Sequence, residues 1–148
     1  MTQKEKIKVF IADDDDDDIM LFKEAIEIAG INASLTSFKH GKALSDHIHQ
    51  NENLPDLVFL DINMPLMNGI ECLKDIRQTQ YFHNVPVVMY STSYHPDHIK
   101  ESFNCFANLY ITKPSSLNEL VSTIKTVFEL YLNGNLMKVG RADFDFKR

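Results

Sequence analysis

The sequence predicts an α/β domain built on a five-stranded parallel sheet with helices on both faces. Three observations predict it. Short apolar runs alternate five times with longer amphipathic stretches. The runs at 56–61 and 85–90 are apolar without alternation, as strands covered on both faces require. The joining segments are short, which suits repeated right-handed βα crossovers.

The first strand is the run 7–12, Ile-Lys-Val-Phe-Ile-Ala. Residues 18–29 carry Ile19, Phe22, Ala25 or Ile26, and Ala29 at helical spacing, and Gly30 ends that helix. Residues 33–38 form a weaker second strand through the β-formers Leu35, Thr36 and Phe38. A short helix over 41–49 uses Ala43, Leu44, His47 and Ile48, and Pro55 punctuates the connection to the third strand. That strand is 56–61; residues 63–69 are a loop; Ile70, Leu73 and Ile76 mark the third helix. The fourth strand is 85–90, and 95–106 is the least regularly patterned helix. A short last strand, 109–111, stops at Lys113-Pro114. Leu117, Leu120, Val121, Ile124, Val127 or Phe128, and Tyr131 make the strongest helical stripe, and Gly134 follows it. The βα units span residues 6–131, and the tail 132–148 is the one segment that such a fold does not need.

A chain of 148 residues suits one domain, which buries roughly 68–70% of its unfolded surface. The apolar fraction of 44% and charged fraction of 24% exclude wholesale disorder. A net charge of −6 argues against direct DNA binding, which calls for a basic face. The charged N-terminal residues 1–10 do not read as a signal peptide, and no apolar run reaches the ~18 residues of a membrane span, so a cytoplasmic location is expected. Cys72 and Cys105 sit in no metal motif; they are free thiols of a reducing compartment or, alternatively, one disulfide. None of the six histidines has zinc-like spacing with a cysteine. His95 and His98, three apart, read as surface histidines in preference to a helix metal clip.

In a parallel sheet the carboxyl ends of the strands converge on one edge, where ligands bind at the topological switch point. The first strand ends in Asp13-Asp14, the third in Asp61, the fourth in Ser91-Thr92 and the fifth in Thr112-Lys113-Pro114. Converging carboxylates repel one another unless a cation joins them, and hard oxygen ligands favour Mg²⁺ over zinc. A divalent cation, an amine and a hydroxyl together suit the oxygens of a phosphoryl group, which one carboxylate could accept as nucleophile. Asp15 to Asp18 read as the acidic start of the following helix, and Asp16 to Asp18 are expected to point away from the site.

These residues resemble the receiver domains of two-component response regulators, over about residues 6–130. The resemblance rests on the acidic pair after the first strand, Asp61, Met64-Pro65 and Gly69 behind it, Ser91 thirty residues on, and Lys113-Pro114. The acidic opening and the Tyr-Ser-Thr-Ser stretch at 90–93 are most similar to single-domain receivers, including the phytochrome-linked group. The resemblance implies the (βα)5 flavodoxin-like receiver fold, with Asp61 as phosphoacceptor. It implies Mg²⁺ on Asp13, Asp14, Asp61 and the backbone carbonyl of Asn63, with Asp14 a direct ligand and Asp13 acting partly through water. Ser91 would hydrogen-bond the phosphoryl group and Lys113 pair with it. Tyr110 is either a core aromatic or the switch aromatic that turns inward when Ser91 moves. Phosphorylation would remodel the face of the fourth helix, fifth strand and fifth helix.

The implied partners are a sensor histidine kinase or a phosphotransfer protein, and a downstream protein, since no output domain follows. The chain would catalyse only its own phosphorylation and dephosphorylation. Two features depart from the common pattern. Thr92 stands where many receivers carry Ala or Gly, which could restrict small phosphodonors or water. The tail carries Phe144 and Phe146 between charges, so it either docks on a partner or a second subunit, giving a homodimer, or is mobile. A haloacid-dehalogenase-type Mg²⁺ phosphatase is the alternative. It wants Asp-x-Asp followed by Thr after the first strand, a late acidic pair and a cap, and this sequence has none of them. The full set of polar residues argues against a receiver that never takes phosphate.

Overall fold

The computed structural model describes residues 6–50 and 53–146. The first half of the N-terminal segment 1–10 and the last two residues of the tail lie outside the described residues. Five strands, β1 (Ile7–Ala12), β2 (Ala33–Phe38), β3 (Leu57–Leu60), β4 (Val87–Ser91) and β5 (Leu109–Thr112), form one parallel sheet in the order β2-β1-β3-β4-β5. Five helices follow them in turn: α1 (Asp16–Ile28), α2 (Gly41–Gln50), α3 (Gly69–Gln78), α4 (Pro96–Asn104) and α5 (Leu117–Leu132).

Strand alternation sends side chains to two cores. Val9, Ile11, Leu57, Phe59, Val88, Leu109 and Ile111 face α1 and α5, where Phe22, Ile124, Val127 and Phe128 complete the packing. Phe10, Ala12, Val58, Leu60, Val87 and Met89 face the other way, against Leu44, Ile48, Leu73, Ile76 and Phe82. Because both faces are covered, β3 and β4 are buried along their whole length, which is why they read as unbroken apolar runs.

Differences from the expected boundaries have local causes. α1 starts at Asp16 because Asp15 caps it, accepting from the Asp17 and Asp18 N–H groups at 2.9 and 3.2 Å. α4 ends at Asn104 because Phe106 takes φ 70° and cannot continue a right-handed helix. The Val85 carbonyl is taken by the Arg77 guanidinium at 2.7 Å, so β4 begins only after Pro86. His95 and His98 bind backbone and side chain at the start of α4, with the Asp97 N–H donating to His95 Nδ1 and His98 Nδ1 2.7 Å from Ser93 Oγ. Cys72 is buried and free, its thiol pushed up to about 12 by burial, and Cys105 is free and half-buried.

The tail does not behave as expected. It folds back on its own chain, through a 3-10 turn (Leu136–Lys138) and a short helix α6 (Arg141–Phe144), across the outer edge of β5. Leu136 enters the α1/α5 core at 1% exposure, and Phe144 enters the opposite core at 2%. The Phe144 ring packs edge-on against Phe103 of α4 at 5.1 Å and lies 6.5 Å from the Tyr110 ring. Asp145 bridges to Tyr110, and the Phe146 N–H donates to the Tyr110 carbonyl at 2.9 Å. An exposed edge strand is a template for unwanted pairing, and the tail covers this one.

A buried Phe cut to Ala costs about 3–5 kcal/mol in a core. Phe144→Ala should therefore release the tail, raising hydrogen exchange at the Phe146 amide by at least about a hundredfold. Amides of β1 and β3 should be little affected. Unchanged protection at Phe146 would mean that the ring does not hold the tail.

Candidate functional site

The topological switch lies where β1 is flanked by β2 on one side and β3 on the other. Pairing of Ala12 with Leu60 sets Asp13 beside Asp61, and the Asp61 N–H donates to the Ala12 carbonyl at 2.9 Å. The Asp61 side chain is fixed by its neighbour, Oδ1 accepting from the Ile62 N–H at 2.7 Å. Behind it Gly69 is obligatory. A Cβ there would fall on the Asp61 carbonyl oxygen, so any other residue would displace the strand end that carries the carboxylate. An Asn68–Glu71 capping box starts α3 at that point, and the Gly69 N–H closes the loop onto the Ile62 carbonyl at 2.9 Å.

Asp13 is fully buried and Asp14 is exposed beside it. Ligand oxygens of Asp13, Asp14 and Asp61 lie within 4.8 Å of one another, close enough to share one cation. Asp13 Oδ1 accepts from the Asp15 N–H at 2.9 Å. Its Oδ2 is buried with no aligned hydrogen bond, although Lys113 Nζ stands 2.7 Å away as an ion pair. A buried carboxylate oxygen lacking an aligned donor, among hard oxygen ligands, fits a divalent cation. Asn63 is exposed on the loop two residues after Asp61.

Lys113 reaches in from the end of β5 with its side chain 6% exposed, and the Lys113 N–H is held by the Ser91 carbonyl at 2.8 Å. Its ammonium lies 2.7 Å from Asp13 Oδ2, 2.7 Å from Asp18 Oδ2 and 3.2 Å from Asp61 Oδ2, and 5.3 Å from the centre of the Tyr90 ring. Burial alone would lower its pKa. The close contacts with Asp13 and Asp18 and the charge of Asp61 outweigh burial and raise it, so the amine stays charged. Asp18 corrects the sequence reading, in which it points away. The Asp15 cap sets the phase of α1 so that the third residue of the helix faces the strand ends, whereas Asp16 pairs outward with Lys39 at 3.3 Å.

Ser91 is fully buried at the end of β4, its Oγ accepting from the Ser93 N–H at 3.2 Å. Ser93 in turn offers its carbonyl to the Tyr110 hydroxyl at 2.7 Å. Tyr110 is fully buried, so the ring expected to turn inward is already there, beneath Phe144. Thr92 is exposed. The predicted residues Asp13, Asp14, Asp61, Ser91 and Lys113 thus all lie at the carboxyl edge. A depression of about 670 Å³ lined by Lys74, Arg77 and Phe106 lies away from that edge and contains none of them.

The family model described as response regulator receiver domain matches residues 9–125. The chain is similar to the probable methanogenesis regulatory protein FilR2 of Methanothrix harundinacea, 28% identical over 131 residues, which make up 86% of this chain and 84% of that protein. It is similar to response regulator Rcp1 of Synechocystis, 27% identical over 129 residues, 84% of this chain and 88% of Rcp1. A crystal structure of the Mn²⁺-bound form of Rcp1 has a TM-score of 0.75 to this fold at 27% identity, over 84% of this chain and 94% of that one. The phosphorylated cyanobacterial phytochrome response regulator RcpA has a TM-score of 0.80 at 30% identity, over 88% of this chain and 96% of that one.

Burial pushes the Asp13 carboxyl up to about 6, against the lowering by Lys113 and the Asp15 N–H. The folded chain then holds a proton that the unfolded chain releases, so this group's contribution to stability falls as pH rises from about 4 through about 6. Below about pH 6 a cation must displace that proton. Divalent-cation affinity should weaken as pH falls below about 6, approaching tenfold per unit, and collapse in Asp14→Ala but not in Asp17→Ala. Titrations followed by thermal shift at pH 5 and 7.5 check this; equal affinities at the two pH values would contradict it.

Proposed function

We propose that this chain, which belongs to the family of response regulator receiver domains, accepts a phosphoryl group on Asp61 and uses it to change a protein-binding face. The observation that carries the reading is the approach of the Lys113 ammonium to Asp61 Oδ2 at 3.2 Å, in a site whose other carboxylates can share a cation. The phosphatase alternative has no support in the family match or the neighbouring structures.

In the transfer, an Asp61 oxygen forms a bond to phosphorus as the bond from phosphorus to the donor's imidazole nitrogen breaks, and the imidazole leaves with that electron pair. The Ile62 N–H fixes one Asp61 oxygen and Lys113 holds the other, so the carboxylate is oriented before a donor arrives. Lys113 supplies positive charge where negative charge gathers. Asp13 and Asp14, with Asp61 and the Asn63 carbonyl, are the residues that would hold Mg²⁺, whose charge would offset repulsion between these carboxylates and the incoming phosphoryl oxygens. The Mn²⁺-bound form of Rcp1 supports a divalent cation here.

The new group carries about −2 charge. To reach it, the Ser91 hydroxyl turns toward Asp61, which disturbs the bond its oxygen accepts from the Ser93 N–H, and Ser93 is the residue on which the Tyr110 hydroxyl rests. The disturbance therefore runs from Asp61 through Ser91 and Ser93 to Tyr110, the start of α4 and the tail. A full reversal of a two-state balance needs about 5.5 kcal/mol, within reach of two charge-assisted contacts of about 1.5–3 kcal/mol each. The donor is a sensor histidine kinase or a phosphotransfer protein, met in the cytoplasm. The chain catalyses only its own loading and unloading.

Asp61→Asn keeps the shape and removes the nucleophile. With a histidine kinase or acetyl phosphate and Mg²⁺, intact mass should show a single added phosphoryl on the wild-type chain and none on Asp61→Asn. Phosphate on the variant in wild-type yield would refute the assignment.

A further inference from the structure

The Lys113 ammonium donates to Asp18 and to Asp61 and stands against Asp13 as a close ion pair, so three carboxylates crowd its three protons. If Asp61 takes a phosphoryl group, as proposed above, the amine needs a proton for a phosphoryl oxygen. Asp13 cannot withdraw easily, being fully buried and tied to the Asp15 N–H. Asp61 is the acceptor itself. Asp18 is different: its side chain is 27% exposed, it stands on the first turn of α1 and not on a strand end, and it holds the amine at 2.7 Å, closer than Asp61 does.

We infer that Asp18 determines which phosphodonors load Asp61, by disfavouring small dianionic donors. Two effects act together. Asp18 occupies the ammonium proton that an incoming phosphoryl group would use. Its partly exposed carboxylate also adds a negative charge beside the amine, where a small dianion meets it with little else to bind. A protein donor faces the same repulsion but offsets it with binding energy from a docking surface remote from the reacting atoms. Asp18 is a positioning residue in this scheme: it acts through Lys113 and through its field, and it does not bond to phosphorus.

The test compares wild type, Asp18→Asn and Asp18→Glu at saturating Mg²⁺, with acetyl phosphate as a dianionic donor and phosphoramidate as a singly charged one. Loading is followed by intact mass. Asp18→Asn should raise the second-order rate with acetyl phosphate about tenfold, chiefly by lowering the half-saturating concentration, and raise the phosphoramidate rate less than about threefold. Asp18→Glu, which restores the charge, should return the acetyl phosphate rate toward wild type. No gain in Asp18→Asn, or an equal gain with both donors, would overturn the inference. The phosphoacceptor reading fails by a separate result, namely a wild-type chain that takes phosphate from no donor, a kinase included.

Discussion

One buried ammonium group organises this molecule's functional end. Lys113 brings its charge to a place where water scarcely reaches, and a charge so placed is tolerated only among opposite charges in good geometry. Asp13, Asp18 and Asp61 supply them, from the end of β1, the first turn of α1 and the end of β3. The lysine thereby ties the last strand to the first helix, positions 95 residues apart in the chain. Each partner also has its own claim on the site, so the arrangement is tense: the carboxylates outnumber the amine, and Asp13 Oδ2 has no aligned hydrogen bond. That excess of negative charge is what a divalent cation would relieve, and it makes the site responsive to a new charge on Asp61.

The sheet order carries this response outward. β4 and β5 are neighbours, so Ser91 and Lys113 are joined on a shared ladder, and Ser93 links Ser91 to Tyr110 by two hydrogen bonds. Tyr110 lies on the outer strand, where the tail is laid against it through Phe144 and Phe146. The tail is therefore part of the face that a switch at Asp61 would alter. A partner that uses this face meets a surface already occupied by the chain's own residues.

Much of this was legible in the sequence, for physical reasons. Apolar runs with no alternation mark strands covered on both sides, and residues that follow such strands must converge at one edge. Asp13, Asp14, Asp61, Ser91 and Lys113 can be placed that way from the sequence alone. Asp18 cannot. In a run of six aspartates the residues are chemically identical, and only the helix phase, set by which one caps α1, decides which faces inward. With Asp15 as the cap, the third residue of the helix becomes a candidate. The tail was hidden for another reason. Leu136 and Phe146 pack on the α1/α5 core while Phe144 enters the opposite one, from an irregular path that no single helical or strand period describes.

The account turns on Lys113 changing partners, and a crystal structure of the chain with Mg²⁺ and fluoroberyllate, a phosphoryl stand-in that binds carboxylates, tests it most directly. The account predicts beryllium on Asp61, a fluoride within hydrogen-bond distance of Lys113 Nζ, and Asp18 released from the amine. Fluoroberyllate seated on Asp61 with Lys113 still held at 2.7 Å by Asp18 and making no contact with fluoride would contradict it.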